Sequence, residues 1–448
     1  MKRYSSRSQG QPVPESISEG ETSAIITPQQ PEKGLLRAFT SLRQRNYRLF
    51  WFGQMISLMG TWMQSIGQAW LVLVLTHSAW QLGLMGALQF LPVLLFSIFG
   101  GVFADRWPKR CVLLVTQSTA MIQALLLWAL IATGTVQLWH LYVLAILLGL
   151  TNCLDTPTRQ AFVVEMVGRK DLPNAVALNS SLSTLARIVG PGLGGIIIAA
   201  SGVTMLFLLN ALSFLAVIVS LVLIKSHELH AQVVQHPNGG EQQKIWQSLR
   251  EGVNYVWKTP AVLLVILVVG LVLLFGSNFN VVLPFFATDV LHVGATGFGL
   301  LSAAFGVGSL ISALWLAWGN QKPTIRRVLI GTLVFGVLEA VFAVSHIYLL
   351  SLVLIAGVGF AETAFAQLSI TMLQTVSPDH LRGRVMSMYV FFFDGSVPLG
   401  YLLIGWLSGL YGASLALLIC ALLSLMVAGV GWVWRKPAEK DVAESARS

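Results

Sequence analysis

The stretch AVLLVILVVGLVLLFGSNFNVVLPFFA, residues 261–287, carries no Asp, Glu, Lys, Arg or His. About twenty residues of helix, rising ~1.5 Å each, cross the ~30 Å hydrocarbon core of a bilayer, so this run is long enough to span one. Comparable apolar blocks recur at 48–75, 82–104, 110–133, 138–158, 173–198, 203–224, 296–318, 327–345, 347–370, 382–406 and 411–434, giving twelve expected spans. The narrowest division falls near Ser345 and His346. Gly and Pro scattered through the blocks fit helices in lipid, where neighbouring helices satisfy freed backbone groups. The alternating ten-residue pattern of a membrane β-barrel is absent. The expected fold class is an all-α polytopic membrane protein.

Composition agrees, with 55% hydrophobic residues, 10% charged residues and a mean hydropathy of +0.73 over 448 residues. So little polar surface could not cover a soluble core of this size. A net charge of +9 raises nucleic acid as a partner, but its distribution removes that reading. The basic residues fall before the first span, in alternate connections, at the start of the eleventh span (Arg382 and Arg384) and after the last span, with Arg187 in mid-span; the connections on the opposite side have none. Such a bias places both termini in the cytoplasm. The lipid bilayer is the partner to expect, and nucleic acid is not.

The longest polar interval divides the expected spans six and six. The organisation is therefore a disordered cytoplasmic tail at 1–46, an N-terminal six-helix half at 47–224, a linker at 225–260, a C-terminal half at 261–434 and a cytoplasmic tail at 435–448. Within the linker, KIWQSLREGVNYVW spaces Ile245, Trp246, Leu249, Val253, Val256 and Trp257 as on one face of an interfacial amphipathic helix. Aligning Val167 with Val376 sets DLPNAVALNS against DHLRGRVMSM, a faint internal echo of the kind left by parallel repeats. Cys111, Cys153 and Cys420 mark no disulfide framework.

GGVFADRWPKR, Gly100 to Arg110, resembles the loop signature of the major facilitator superfamily, and it lies between the second and third spans as in that superfamily. GPGLGG, Gly190 to Gly195, resembles the core of the signature of its antiporters, although Ala186 stands where the longer form has Gly. RNYRLFWFGQMISLMGTWMQSIGQAWLVLVLT and SPDHLRGRVMSMY resemble the drug/proton antiporter branch that includes enterobactin exporters and macrolide efflux proteins. The resemblance covers residues 40–436. It implies a major facilitator fold of twelve helices in two six-helix halves, in a bacterial inner membrane, exporting cargo on the proton gradient.

Several residues are candidates for that work. Asp105, Arg106, Lys109 and Arg110 occupy a short turn where their charges can meet neighbouring helix termini and bias one conformational state. Gly190, Pro191, Gly194 and Gly195 remove side-chain bulk from one helix, which suits close packing or a bend. Asp155 and Arg159 stand one turn apart and form a gate pair. Gln54, Ser57, Thr61, Gln64 and Gln68 make a polar stripe on the first span, expected to line a cavity, and Asn278 and Asn280 form a second polar cluster. Arg187, Glu362 and Asp394 are mid-span charges, each of which requires a partner, water or a proton. Glu362 or Asp394 is the expected proton carrier, and Arg187 pairs with an acid or an anionic cargo group. Glu339, toward the outer part of its span, reaches a polar neighbour or the interface. Trp62, Phe90, Phe275, Phe279, Phe285, Phe286, Phe391, Phe392 and Phe393 are aromatic residues that offer an apolar cargo flat surfaces, and most of them are expected to pack or face lipid.

The function expected is export of a small, mainly apolar or amphipathic molecule in exchange for protons by a monomer that is not an enzyme and holds no cofactor or metal. Proton-coupled or facilitated import of a small metabolite is the alternative. HELH, His227 to His230, lacks the spacing of a zinc helix, and GATGFG, Gly294 to Gly299, follows no strand that would make it a nucleotide loop.

Overall fold

The computed structural model describes residues 35–230, 241–319 and 323–445, with side chains there except at 35–38, 97–106, 241–249, 379–380 and 441–445. The chain divides into Met1–Ala38 and Phe39–Ser448. Only 35–38 of the first unit are described, and they are helical. The second unit carries all of the apolar helices: α1 (Arg45–Thr76), α2 (Ala79–Arg106), α3 (Lys109–Ala132), α4 (Leu138–Leu223), α5 (Glu241–Lys258), α6 (Pro260–Gly276), α7 (Phe279–Phe285), α8 (Ala295–Trp318), α9 (Ile325–Ala343), α10 (Tyr348–Val376), α11 (Asp379–Tyr411) and α12 (Ala413–Ser445). Among the described residues, nine helices are long and apolar enough to cross a bilayer.

That number differs from the twelve blocks of the sequence for local reasons. Three expected spans fall in α4, an 86-residue element. Unbroken, it would be ~130 Å long at ~1.5 Å per residue. It is broken at Gly168 (φ 68, ψ 173) and Gly202 (φ 79, ψ 171), backbone geometry open essentially to glycine alone. Its three legs are 138–167, 169–201 and 203–223. The expected end of a span at 158 is thus nine residues early, and the helix runs on to Gly168. The ninth block lies on α9, whose 19 residues include Arg326, Arg327 and Glu339.

α1, α2 and α3 pack on α4; α6 and α8 to α12 pack among themselves; α2 meets α11, and α4 meets α8. Large apolar side chains such as Val115, Leu349, Val353 and Val433 are exposed on the outside, the surface a bilayer covers. One end of the bundle, the neutral end, gathers the turns at His77, Gly134, Gly202, His292, Ser345 and Gly412, where no Lys or Arg occurs. The other, the basic end, gathers Lys109, Arg110, Arg169, Lys170, Lys225, Arg326, Arg327, Arg382 and Arg384.

The termini differ from expectation. Residues 1–34 of the anticipated tail lie outside the described residues, but its last part is held: the Ser41 N–H donates to Asn174 Oδ1 at 3.0 Å, Gln44 donates to the Val167 carbonyl, and Asn46 donates to the Lys225 carbonyl. At the other end α12 continues to Ser445, through Pro437. The linker holds the helix α5, in which Val256 is buried while Val253 and Trp257 are exposed; the side chains of Ile245, Trp246 and Leu249 lie outside the described residues.

Candidate functional site

α1, α2, the second leg of α4, the α6–α7 junction, α8, α10 and α11 surround a central cavity of about 340 Å³. Trp62, Phe90, Phe279, Phe298, Phe305, Phe393 and Tyr401 give it an aromatic wall, and Arg187 and Glu362 are its charged groups. The Arg187 guanidinium is exposed and sits 5.2 Å from the centre of the Trp62 ring. Glu362 accepts a 2.7 Å hydrogen bond from Ser277 Oγ. No ion pair joins Arg187 to a carboxylate among the described residues.

Ser277 is available because the chain breaks there. α6 stops at Gly276 and α7 starts at Phe279, and the interruption leaves helix carbonyls without amide donors. The Asn278 amide donates to the Leu274 and Phe275 carbonyls at 2.8 and 3.1 Å, which stabilises the break. Asn280, past it, faces the cavity and donates to the Tyr401 hydroxyl at 3.0 Å.

Toward the neutral end from the cavity the helices make two close glycine crossings. Gly195 meets Gly299 where the second leg of α4 passes α8. A Cβ on Gly195 would lie 2.6 Å from the Ala295 carbonyl oxygen, and one on Gly299 would lie 2.6 Å from that of Pro191. Gly83 meets Gly405 where α2 passes α11, and a Cβ on Gly405 would lie 2.8 Å from the Ala79 carbonyl oxygen. Trp70 stacks on Phe298 and Phe90 meets Tyr401 edge-on beside these crossings. Two other glycines of GPGLGG serve the opposite face: Gly190 packs on Met59 and Trp62 of α1, and Gly194 on Met63. GATGFG, which makes no nucleotide loop, supplies Gly299 to the crossing.

The family profile described as transmembrane secretion effector matches residues 36–448. The chain belongs to this family, within the major facilitator superfamily. The enterobactin exporter EntS of Citrobacter koseri is 25% identical over 346 residues, 77% of this chain and 80% of that one. The multidrug efflux pump Tap of Mycolicibacterium fortuitum is 27% identical over 400 residues, 87% of this chain and 96% of that one. The crystal structure of the nucleoside transporter NupG superposes with a TM-score of 0.68 at 12% identity, covering 88% of this chain and 99% of that one, which establishes the fold alone. The chain is thus a multi-pass membrane transporter of small molecules rather than an enzyme.

The transmembrane secretion effector chain has a second, smaller cavity of about 90 Å³ between α1, α3 and α4. Gln54, Ser57, Thr61, Gln64 and Gln68 line it, as the stripe on the first span implies, and Gln68 also lines the central cavity. Asp155 and Arg159 form an ion pair of 2.6 Å. Thr116 and Gln117 donate to Asp155 at 2.7 and 2.8 Å, and Arg159 donates to Gln54 Oε1 at 3.2 Å. Gln64 donates to Gln123 and accepts from Asn210. The sequence reading missed Thr116, Gln117, Gln123 and Asn210. Thr116 and Gln123 stand seven apart, the helical repeat that also marks α1.

At the basic end Lys109 pairs with Glu165 at 3.1 Å, and Arg110 donates to the Val222 carbonyl and Ser226 Oγ. A cation at Val222 meets the last turn of α4, where unpaired carbonyls favour it. The side chains of Asp105 and Arg106 lie outside the described residues.

Three expectations are corrected. Asn278 lines neither cavity: it is buried against Gly400 of α11 while its amide caps the break. Asp394 is exposed on α11 and lines neither cavity. Glu339 reaches no interface. It is 0% exposed, neither carboxyl oxygen has a hydrogen-bond partner, and a Cβ on Gly276 would lie 2.9 Å from Oε2. It stands in the core behind the break whose Ser277 binds Glu362.

Proposed function

We propose that this protein is a secondary active exporter of a small, mainly apolar or amphipathic molecule, exchanged for protons by alternating access. Counting α4 as three crossings and adding α9 gives twelve, in halves of six at 47–224 and 261–434, with both termini and the basic end in the bacterial cytoplasm. On this reading the structure is the state open to the cytoplasm.

The observation that carries the proposal is the central cavity itself. Helices from both halves wall it, aromatic rings supply its apolar surface, and glycine crossings bring the halves into close contact toward one end. Cargo binds on Trp62, Phe90, Phe279 and Phe393. Glu362, held by Ser277, exchanges its proton with whichever side is open, and Arg187 supplies a positive field that cargo or water screens. Asp105, Arg106, Lys109 and Arg110, the Asp155–Arg159 pair and the Gly190, Pro191, Gly194 and Gly195 segment set the balance between the two states. The protein works as a monomer. The names of EntS and Tap support outward transport of siderophore-like or drug-like molecules.

Transport into energised inside-out membrane vesicles tests this, over a panel of catecholate siderophores, macrolides and cationic dyes. Accumulation of at least one class that an uncoupler abolishes, and that Glu362→Gln separates from proton movement, is expected. Gradient-driven accumulation in right-side-out vesicles instead would make the protein an importer and overturn the proposal.

A further inference from the structure

The smaller cavity is not accounted for by gating alone. We propose that it is a second chamber of the cargo site, and that it receives a compact, uncharged hydrogen-bonding group, a hydroxymethyl or carboxamide, of a cargo whose apolar body lies in the central cavity. The inference rests on the reading of the central cavity as the cargo site.

The two spaces adjoin, since Ser65, Gln68 and Gln89 line both. The charges of the smaller one are already paired with each other. Asp155 takes Arg159, Thr116 and Gln117, and Arg159 also takes Gln54. A neutral, internally satisfied pair has little attraction for an ion.

Three buried polar atoms remain without a hydrogen-bond partner: Gln54 Nε2, Gln68 Nε2 and Gln117 Oε1. Their residues are 4%, 3% and 6% exposed. Two of the amides cannot be turned round. Gln54 must keep its oxygen toward the Arg159 donor, and Gln117 must keep its nitrogen toward Asp155. The chamber therefore offers a fixed donor and a fixed acceptor together. A hydroxyl or carboxamide both donates and accepts, so it satisfies both kinds. An apolar group strands them, and buried polar groups left unpaired are costly. The volume of about 90 Å³, set against the ~10–15 Å³ of probe space that one water needs, admits a compact group of several heavy atoms.

Two probes separate the outcomes: a 1-naphthyl ether with a four-carbon tail ending in carboxamide, and its counterpart ending in isopropyl. Binding to the purified full chain is read from quenching of Trp fluorescence, Trp62 being in the central wall. The wild type is expected to bind the carboxamide about tenfold more tightly, the scale of one well-made buried hydrogen bond. Gln117→Leu is expected to erase that preference and leave isopropyl binding unchanged. Should Gln117→Leu lose its thermal unfolding transition, Gln54→Leu, on the wall of the smaller cavity alone, takes its place. Equal binding of both probes by the wild type, or a preference that survives the substitution, overturns the second chamber alone. Binding of neither probe overturns the central cavity as an amphipathic-cargo site, and the chamber with it.

Discussion

One methyl group at Gly195 tests the seal at the neutral end. A Cβ there lies 2.6 Å from the Ala295 carbonyl oxygen and 3.0 Å from the Gly299 Cα, against an ordinary carbon contact of about 3.5–4.0 Å. Both neighbours are backbone, so no rotamer change relieves the clash, and the second leg of α4 must part from α8 by roughly 0.5–1 Å. Overpacking of this kind costs about 1–3 kcal/mol. The cost falls on the state in which the crossing is closed, and it converts to about a 5- to 150-fold shift toward the state open at the neutral end. The assay is alkylation of a Ser302→Cys reporter, a residue of the central cavity wall, in a background with Cys111, Cys153 and Cys420 replaced by Ser. A membrane-impermeant maleimide is applied to intact cells, where the neutral end faces outward on the proposed orientation. Gly195→Ala and Gly299→Ala should each raise the labelling rate at least about fivefold. Gly409→Ala, whose Cβ would meet nothing within 4 Å, should leave it unchanged. Equal rates in all three variants would refute the argument that these crossings hold the mouth shut.

Asp155→Ala strands Arg159, Thr116 and Gln117 at once, and removing one partner of a buried pair costs about 3–5 kcal/mol; a large fall in Tm of the purified protein by intrinsic fluorescence is expected. Exchanging Lys109→Glu with Glu165→Lys should restore transport that either single change impairs, because their charges meet at 3.1 Å with side chains 8% and 16% exposed; a double-mutant cycle checks it. Glu339→Gln should keep stability within about 1 kcal/mol of wild type, since neither carboxyl oxygen has a hydrogen bond to lose, whereas Glu339→Arg, with no room beside Gly276, should fail to fold, as read by size-exclusion chromatography.

Much of this fold is legible because the bilayer imposes a length. The apolar blocks and their one-sided Lys and Arg give the helices and the two ends without any knowledge of packing. Regularity within one helix is equally readable: Asp155 and Arg159 stand one turn apart and do pair, and the stripe from Gln54 to Gln68 does line a cavity. What the sequence leaves hidden is which helices meet. Gly299, Gly405, Tyr401 and Asn210 act through residues about 100 or more positions away, and no periodicity records such pairs. The same gap misplaces Asn278, Asp394 and Glu339, since polarity and depth mark them as special while only tertiary packing decides which way each one faces. The continuation of α4 past residue 158 is obscured by its polar composition near the basic end, where lipid no longer demands apolar residues.

The central claim is that one cavity opens to two sides in alternation, and paired spin-label distances test it most directly. Labels at Trp80 and Leu410, exposed on α2 and α11 at the neutral end, and at Arg169 and Trp318, exposed at the basic end, are measured in proteoliposomes as cargo and pH are varied. The account predicts opposite movement: the first distance lengthens in the conditions that shorten the second. Two distances that lengthen together, or that stay fixed while cargo crosses the membrane, would contradict it.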